Sequence, residues 1–298
     1  MKIKAEVQKD SMSRTLNSGP AHSEHCTVDP VTFNELNRAG SGLQRQIRVA
    51  IDAHVFALFT VTQLRAGKAH IVRIGPDGLK RLNISNPNAQ KCLLDTRVTK
   101  TGLSEARAQA ASELIERLSG KGNDLAVLAP HGGDIEKNTD EQAKRVQKAL
   151  RDKAVRCWRC MGWKDGGGAF ARWHITSSEV SEYSFPLLGE LFTQRYEHAV
   201  AFHGWTENFI GVGGLADVGL KTQIVDAIKT ALDVAGSTIK VRLERSGDFS
   251  GNSPNNIVNR ITESGKNGVQ IEQSKPARER HWEIIADAVA DVYQNLLP

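Results

Sequence analysis

Leu125-Ala126-Val127-Leu128-Ala129, running into Pro130-His131-Gly132-Gly133-Asp134-Ile135-Glu136, is the stretch on which the fold turns. Five consecutive apolar residues between Gly122 and Pro130 are too short for a helix and lack the alternation of a half-exposed strand. They read as a strand buried on both faces, as in a parallel sheet. Working outward, Thr139-Asp140-Glu141 opens a helix to about residue 153, its acidic first turn matching the helix dipole. Strands follow at about 154–161 and Phe170–Thr176, a helix at 186–196, and a buried strand at His198–His203. Further on come a strand at Ile210–Gly214, a helix at Lys221–Val234, strands at Ile239–Leu243 and Gly268–Gln273, and a closing helix at Ala277–Leu297. Upstream, Ser104 caps a helix whose apolar positions Ala108, Ala111, Leu114, Ile115 and Leu118 keep helical spacing up to Gly120. This order predicts an α/β fold, a mostly parallel mixed sheet flanked by helices.

The amino-terminal part reads differently. Residues 1–45 are rich in Ser, Asn, Gly, Lys and His and predict a flexible arm. From residue 46 the alternations Ile47-Val49-Ile51 and Val55-Ala57-Phe59, and the run His70–Gly75, predict added strands. We therefore expect one domain over 46–298, in which a strand-rich extension (46–100) adds to a catalytic core (101–298).

The chain has 298 residues, 40% hydrophobic and 24% charged, as in ordinary globular proteins. No apolar run is long enough to cross a bilayer, and none follows the early lysines as in a signal peptide. The expected location is cytoplasmic, with release on lysis as the alternative. Four cysteines are too few for a disulfide scaffold, and Cys157-Trp158-Arg159-Cys160 lies in an expected strand with no second ligand pair for a zinc knuckle. The formal charge of +5 comes without a dense basic run or basic–aromatic interleaving, which argues against nucleic acid. A diffuse positive surface suits a polyanionic or carboxylate-bearing substrate. Gly166-Gly167-Gly168 lacks a phosphate-loop pattern and reads as a turn.

Ligand sites in open α/β sheets lie beyond the carboxyl ends of the strands. Three expected strand ends carry ligating residues: His131 to Glu136, His203-Gly204, and Glu272-Gln273. Catalytic zinc usually takes three His or carboxylate ligands, a set that His131, His203 and either Glu136 or Asp134 would supply. Gly132-Gly133 lets the chain turn back sharply. Glu272, costly to bury without purpose, is the candidate base; the competing reading is a solvent-facing strand residue on the same face as Gln270. Arg260 and Arg278 could grip a substrate carboxylate, with Asn256 and Asn259 adding hydrogen bonds. His174, at another expected strand end, could touch substrate or orient a ligand. For each of these five, a surface or loop-ordering role competes.

Ala129-Pro130-His131-Gly132-Gly133 with Ile135-Glu136, Trp173-His174-Ile175-Thr176-Ser177, Phe202-His203-Gly204, Val212-Gly213-Gly214, Asn256-Ile257-Val258-Asn259-Arg260 and Gly268-Val269-Gln270-Ile271-Glu272 occur in this order. Together they resemble the phage-type poly-γ-glutamate hydrolase family, over roughly residues 100–290. The resemblance implies a compact zinc carboxypeptidase-like fold with one catalytic zinc, acting on the γ-amide bonds of poly-γ-glutamate. It implies His131, Glu136 and His203 as ligands, Glu272 as base, and Arg278 near the substrate. Asp134 stands where a glycine is common in those relatives, and the segment before residue 101 is added relative to the shortest of them. Two other functions compete. One is a zinc amidohydrolase on another substrate, such as γ-glutamyl stem peptides or N-acyl amino acids. The other is a non-enzymatic, replication-linked binding protein, which would hold no metal and bind DNA in a salt-sensitive way.

Overall fold

The computed structural model describes residues 1–10, 23–36, 45–87, 90–247 and 249–298. They form two compact units: Met1–Lys100 with Gly168–Pro186, and Thr101–Gly167 with Leu187–Pro298.

The first unit is built on six strands, β1 (Lys2–Lys9), β2 (His25–Val28), β3 (Arg45–Ala50), β4 (Phe56–Leu64), β5 (Ile71–Ile74) and β6 (Gln90–Asp95). They close into a barrel in the order β1-β5-β2-β4-β3-β6, with β6 pairing back on β1. β1/β5 and β2/β4 are parallel and the other pairs antiparallel. Ile3, Ala5, Val7, Ile47, Val49, Ala57, Phe59, Val72 and Leu94 are part of its core. This corrects two expectations. Within 1–45, the described residues include β1, β2 and the helix Pro30–Leu36, so they are no loose arm; residues 11–22 and 37–44 lie outside the described ones. The strands of 46–100 do not join the 101–298 core in one domain but pair with one another and with β1 and β2, because closure leaves a barrel no free edge. The long alternation from Ile47 to Phe59 is folded in two by a turn, where Asp52 Oδ1 accepts from the backbone N–H groups of His54 and Val55 at 2.7 Å each.

The second unit holds a sheet of β7 (Leu114–Gly120), β8 (Leu125–Gly133), β9 (Val155–Gly162), β10 (His198–Gly204), β11 (Phe209–Gly213), β12 (Lys240–Leu243) and β13 (Gly268–Gln273). Its order is β12-β11-β13-β10-β8-β9-β7. β8, β9, β10 and β13 run parallel, β11/β12 are parallel, and β7/β9 and β11/β13 are antiparallel. The result is the mostly parallel mixed α/β sheet expected. One face packs Leu125, Val127, Val200, Phe202, Val269 and Ile271 against the helices Thr139–Ala149, Val218–Val234 and Trp282–Leu296. Each such side chain contributes about 1.5–3 kcal/mol through burial. Gln270 and Glu272 alternate with Val269 and Ile271, so they project from the opposite face.

Three element expectations change. The helix foreseen from Ser104 to Leu118 is a six-residue helix, Glu105–Ala110, followed by β7. Ser104 does cap it, but Ser112 takes φ 53°, which ends the helix and frees Leu114 and Ile115 to pair with β9. The strand foreseen at Phe170–Thr176 is a helix, Ala169–Trp173, with His174 after its end. The closing helix is broken at His281 into Lys275–Arg280 and Trp282–Leu296.

Candidate metal and acid–base site

β8 continues through Pro130 to Gly133, with an irregularity in its pairing to β9 between Ala129 and Gly132. Gly133 takes φ +68°, and its N–H donates to Asp140 Oδ1 at 2.9 Å. The chain then turns back, with Glu136 N donating to His131 O at 2.8 Å. This returns the Glu136 carboxylate to its own histidine. His131 Nδ1 lies 3.1 Å from Glu136 Oε2 and 3.2 Å from His203 Nδ1, and His203 Nδ1 lies 3.6 Å from Glu136 Oε2. All three side chains are buried. The Gly204 N–H donates to the same Oε2 at 2.9 Å.

Glu272 pairs with His203 in the β10/β13 register. Its Oε1 accepts from Gln270 Nε2 at 2.9 Å. Burial pushes this carboxyl up, and the nearby Glu136 pushes it further, well above the usual carboxylate range, against opposition from Arg278 and Gln270. Glu136 moves the other way. Burial would raise it, but the charge and hydrogen bonds of His131 and His203 outweigh burial and hold it well below that range. Two neighbouring carboxylates with separated proton affinities are the arrangement expected of a charge-stabilising group beside an acid–base group.

Arg278, buried, donates Nη1 to Lys137 O at 3.0 Å and Nε to Gln273 O at 3.4 Å. Its guanidinium lies on Gly204, where a Cβ would come within 2.3 Å of Nε and 2.7 Å of Nη2. His203 is supported from behind: Gln273 Nε2 donates to His203 O at 3.3 Å and exchanges hydrogen bonds with the Gln142 amide at 2.8 Å.

The structure thus brings together His131, Glu136, His203, Glu272 and Arg278. Asp134 is exposed, so the carboxylate facing the histidines is that of Glu136. Three expected substrate contacts are corrected. Arg260 lies just ahead of Thr262, whose bridge to Tyr196 precedes the first residues of β10 and β13. It therefore stands at the amino-terminal edge of the sheet, with its guanidinium over Phe192 at 5.1 Å. His203 is seven residues along from Tyr196, about 23 Å of strand at ~3.3 Å per residue. Asn259 is spent on loops: Nδ2 donates to Gly251 O (2.7 Å) and Ser253 O (2.9 Å), and Oδ1 accepts from Leu215 N (3.2 Å). Asn256 donates to Gln270 Oε1 at 2.6 Å and caps the short helix Ile257–Arg260 through Val258 N. His174 belongs to the first unit, its Nδ1 bonded to Glu24 and its ring stacked on Phe170 at 4.2 Å.

Sequence reading missed Gln142, Gln273 and Asp140. Their signal was weak: polar side chains at inward positions of a helix and a buried strand, noticeable only once the pairing is known.

A mixed α/β sheet that presents two histidines, a carboxylate and a second, separately tuned carboxylate at its carboxyl edge defines the class: a hydrolase-type α/β domain whose side chains could hold a metal ion. The model of the poly-gamma-glutamate hydrolase family matches residues 101–290, more than half of the chain, and the chain belongs to that family. The UPF0714 protein YndL of Bacillus subtilis (strain 168) is 31% identical over 176 residues, which are 58% of this chain and 62% of that protein. The chain thus spans about three fifths of that relative's length. Among solved structures, the zinc-free apo form of YNDL is similar at 24% identity and TM-score 0.49, over 61% of this chain and 90% of that one. A bacteriophage poly-gamma-glutamate hydrolase is similar at 24% identity and TM-score 0.45, over 61% and 89%. A metallo-carboxypeptidase from Burkholderia cenocepacia follows at 12% identity and TM-score 0.38, over 85% and 80%.

Proposed function

We propose that this protein is a zinc-dependent hydrolase that cleaves the amide bonds of γ-linked glutamate polymers. The observation that carries the reading is the triangle of His131 Nδ1, His203 Nδ1 and Glu136 Oε2, with edges of 3.1, 3.2 and 3.6 Å. Ligands at about 2.0–2.1 Å around a tetrahedral zinc stand about 3.3 Å apart, so the three atoms match one face of that tetrahedron. The donor set fits as well, since two imidazoles and a carboxylate are ordinary zinc ligands. Glu136 and Glu272 are two buried carboxylates whose charges both act on Arg278, and a divalent cation would offset them further.

When bound, zinc supplies Lewis acidity, polarising the scissile carbonyl and bringing the pKa of a water toward ~7. Glu272, its proton affinity raised by burial and by the charge of Glu136, takes the proton from the attacking water and returns it to the leaving nitrogen. Arg278, fixed by two carbonyls and lying along Gly204, presents Nη2 to a substrate carboxylate. A glutamate polymer offers a carboxylate at every residue, which suits Arg278 and the +5 charge.

The test combines elemental analysis of the purified protein with the chain length of poly-γ-glutamate after incubation. About one zinc per chain and a shortened polymer are expected. Glu272→Gln should lower hydrolysis by about 10²–10⁴-fold while keeping the metal, and His131→Ala should lose both. Metal-free protein, or hydrolysis that survives both substitutions, would overturn the assignment. Zinc with an unshortened polymer would move the substrate to another amide.

A further inference from the structure

A hydrogen-bond chain with a single direction ends on Glu272. The Val258 N–H donates to Asn256 Oδ1 at 3.1 Å, which commits that oxygen and turns Asn256 Nδ2 toward Gln270 Oε1 at 2.6 Å. Gln270 then has only its NH2 group left to offer. Nε2 donates to Glu272 Oε1 at 2.9 Å and to Phe249 O at 3.2 Å. Flipping the Gln270 amide would set its oxygen against two acceptors and its nitrogen against a donor. The backbone at Val258 therefore fixes the polarity of every link. Asn256 and Gln270 are both buried, and a Cβ at Gly251 would come within 2.8 Å of Gln270 Cβ, so the amide has little room to move. Among the described residues Glu272 Oε2 makes no hydrogen bond.

We infer that Gln270, oriented by Asn256, is a positioning residue for Glu272: it occupies Oε1 as an acceptor and leaves Oε2 as the atom that takes and returns the proton. The inference rests on the reading of Glu272 as the base. In the first half of the reaction an O–H bond of water breaks, its proton goes to Oε2, and the water oxygen bonds the carbonyl carbon as the C=O π pair moves onto the carbonyl oxygen, to return when the C–N bond breaks. In the second half the C–N bond breaks, and the proton passes from Oε2 to the departing nitrogen. Nothing else is consumed.

Asn256→Asp is the sharpest probe. It keeps Oδ1 for the Val258 N–H but replaces the donor facing Gln270 with an acceptor, so the Gln270 amide turns over and sets its oxygen against Glu272. With poly-γ-glutamate as substrate, kcat should fall about 10–100-fold, part of the 10²–10⁴ available to acid–base catalysis. KM and zinc content should stay unchanged. Gln270→Leu should behave alike, and on a Glu272→Gln background Asn256→Asp should cause no further loss. If Glu272→Gln is inactive while both other variants keep wild-type kcat, the inference is wrong and the base assignment stands. If Glu272→Gln stays active, the base assignment fails and takes the inference with it. Equal changes in kcat, KM and melting temperature would mark a merely structural role and also overturn it. A readout independent of substrate is the side-chain NH2 signal of Gln270 in the zinc-loaded protein, assigned by its loss in Gln270→Leu. Asn256→Asp and Glu272→Ala should each shift it, and an unmoved signal contradicts the chain of bonds.

Discussion

A methyl group added at position 132 would meet Asp140 Cβ at 2.5 Å, Asp140 Cγ at 2.9 Å and Met161 Cγ at 2.8 Å. Asp140 cannot retreat without cost, because its Oδ1 holds the Gly133 N–H that begins the return of Glu136 to His131. Gly132→Ala should therefore destabilise the protein by about 1–3 kcal/mol, the usual cost of overpacking. It should also weaken metal binding at the proposed site, since His131 is the neighbouring residue. A denaturant midpoint and a zinc titration check both, and unchanged values in the two would contradict the account. His131, Glu136, His203 and Glu272 were legible because each closes or follows an apolar strand, and parallel strands deliver their carboxyl ends to one edge. Arg260 was misplaced because it precedes β13, and what precedes a strand lies at the opposite edge. Asn256 and Asn259 looked like substrate contacts because sequence shows an amide's capacity to bond but not which backbone groups take it.

At the scale of elements, the apolar runs of β8 and β10 announced buried parallel strands, and only their last residues shifted, while the alternating β13 kept its expected bounds. β7 did not announce itself. Leu114, Ile115 and Leu118 fit helical spacing as well as a strand, and pairing with β9 decided between them. β9 in turn settles the Cys157-Trp158-Arg159-Cys160 spacing. Residues three apart on a strand point to opposite faces, so the two thiols cannot share a metal or a disulfide without breaking β9. Cys157 packs into the helix-covered core, and burial, with the charge of Asp140 adding to it against Arg159 and Lys144, pushes its thiol up to about 12. All four cysteines are buried as free thiols. A thiol reagent at neutral pH should thus label none of them in the folded protein and four after unfolding. Rapid labelling of the native chain would show that β9 is not held as described. Cys157→Ala should leave zinc content unchanged.

At the scale of the whole chain, the barrel was hidden for a physical reason. In β1 the inward Ile3, Ala5 and Val7 alternate with Lys2, Lys4, Glu6 and Gln8, so the local composition reads as polar, and closure depends on pairing with β5 and β6, more than sixty residues away. The chain also returns to this unit late. Gly168–Pro186 belongs with the barrel although the family match runs through it. Its attachment is polar and specific: Glu24 binds His174 Nδ1 and the Thr176 N–H, the latter at 2.8 Å. Arg81 donates to the carbonyls of Ala171 and His174, and Gln46 Nε2 donates to Glu179 O at 2.8 Å. Burial alone would raise the Glu24 carboxyl, but His174, Arg81 and the Thr176 N–H together hold it below its ordinary 4.5. A carboxyl whose folded value is depressed contributes stability that is present above the ordinary value and lost as pH falls through the folded one. The attachment of 168–186 should therefore hold from neutrality to about pH 4.5 and weaken progressively below it. Trp173 reports on this, since it packs edge-on to Phe56 at 5.4 Å with Arg48 over its ring at 4.8 Å. Its near-UV circular dichroism should change in that acid window. In Glu24→Gln the signal should already be weaker at neutral pH and lack the Glu24 part of the acid transition. Superimposable acid transitions in the two proteins would show that Glu24 is not what fastens the segment.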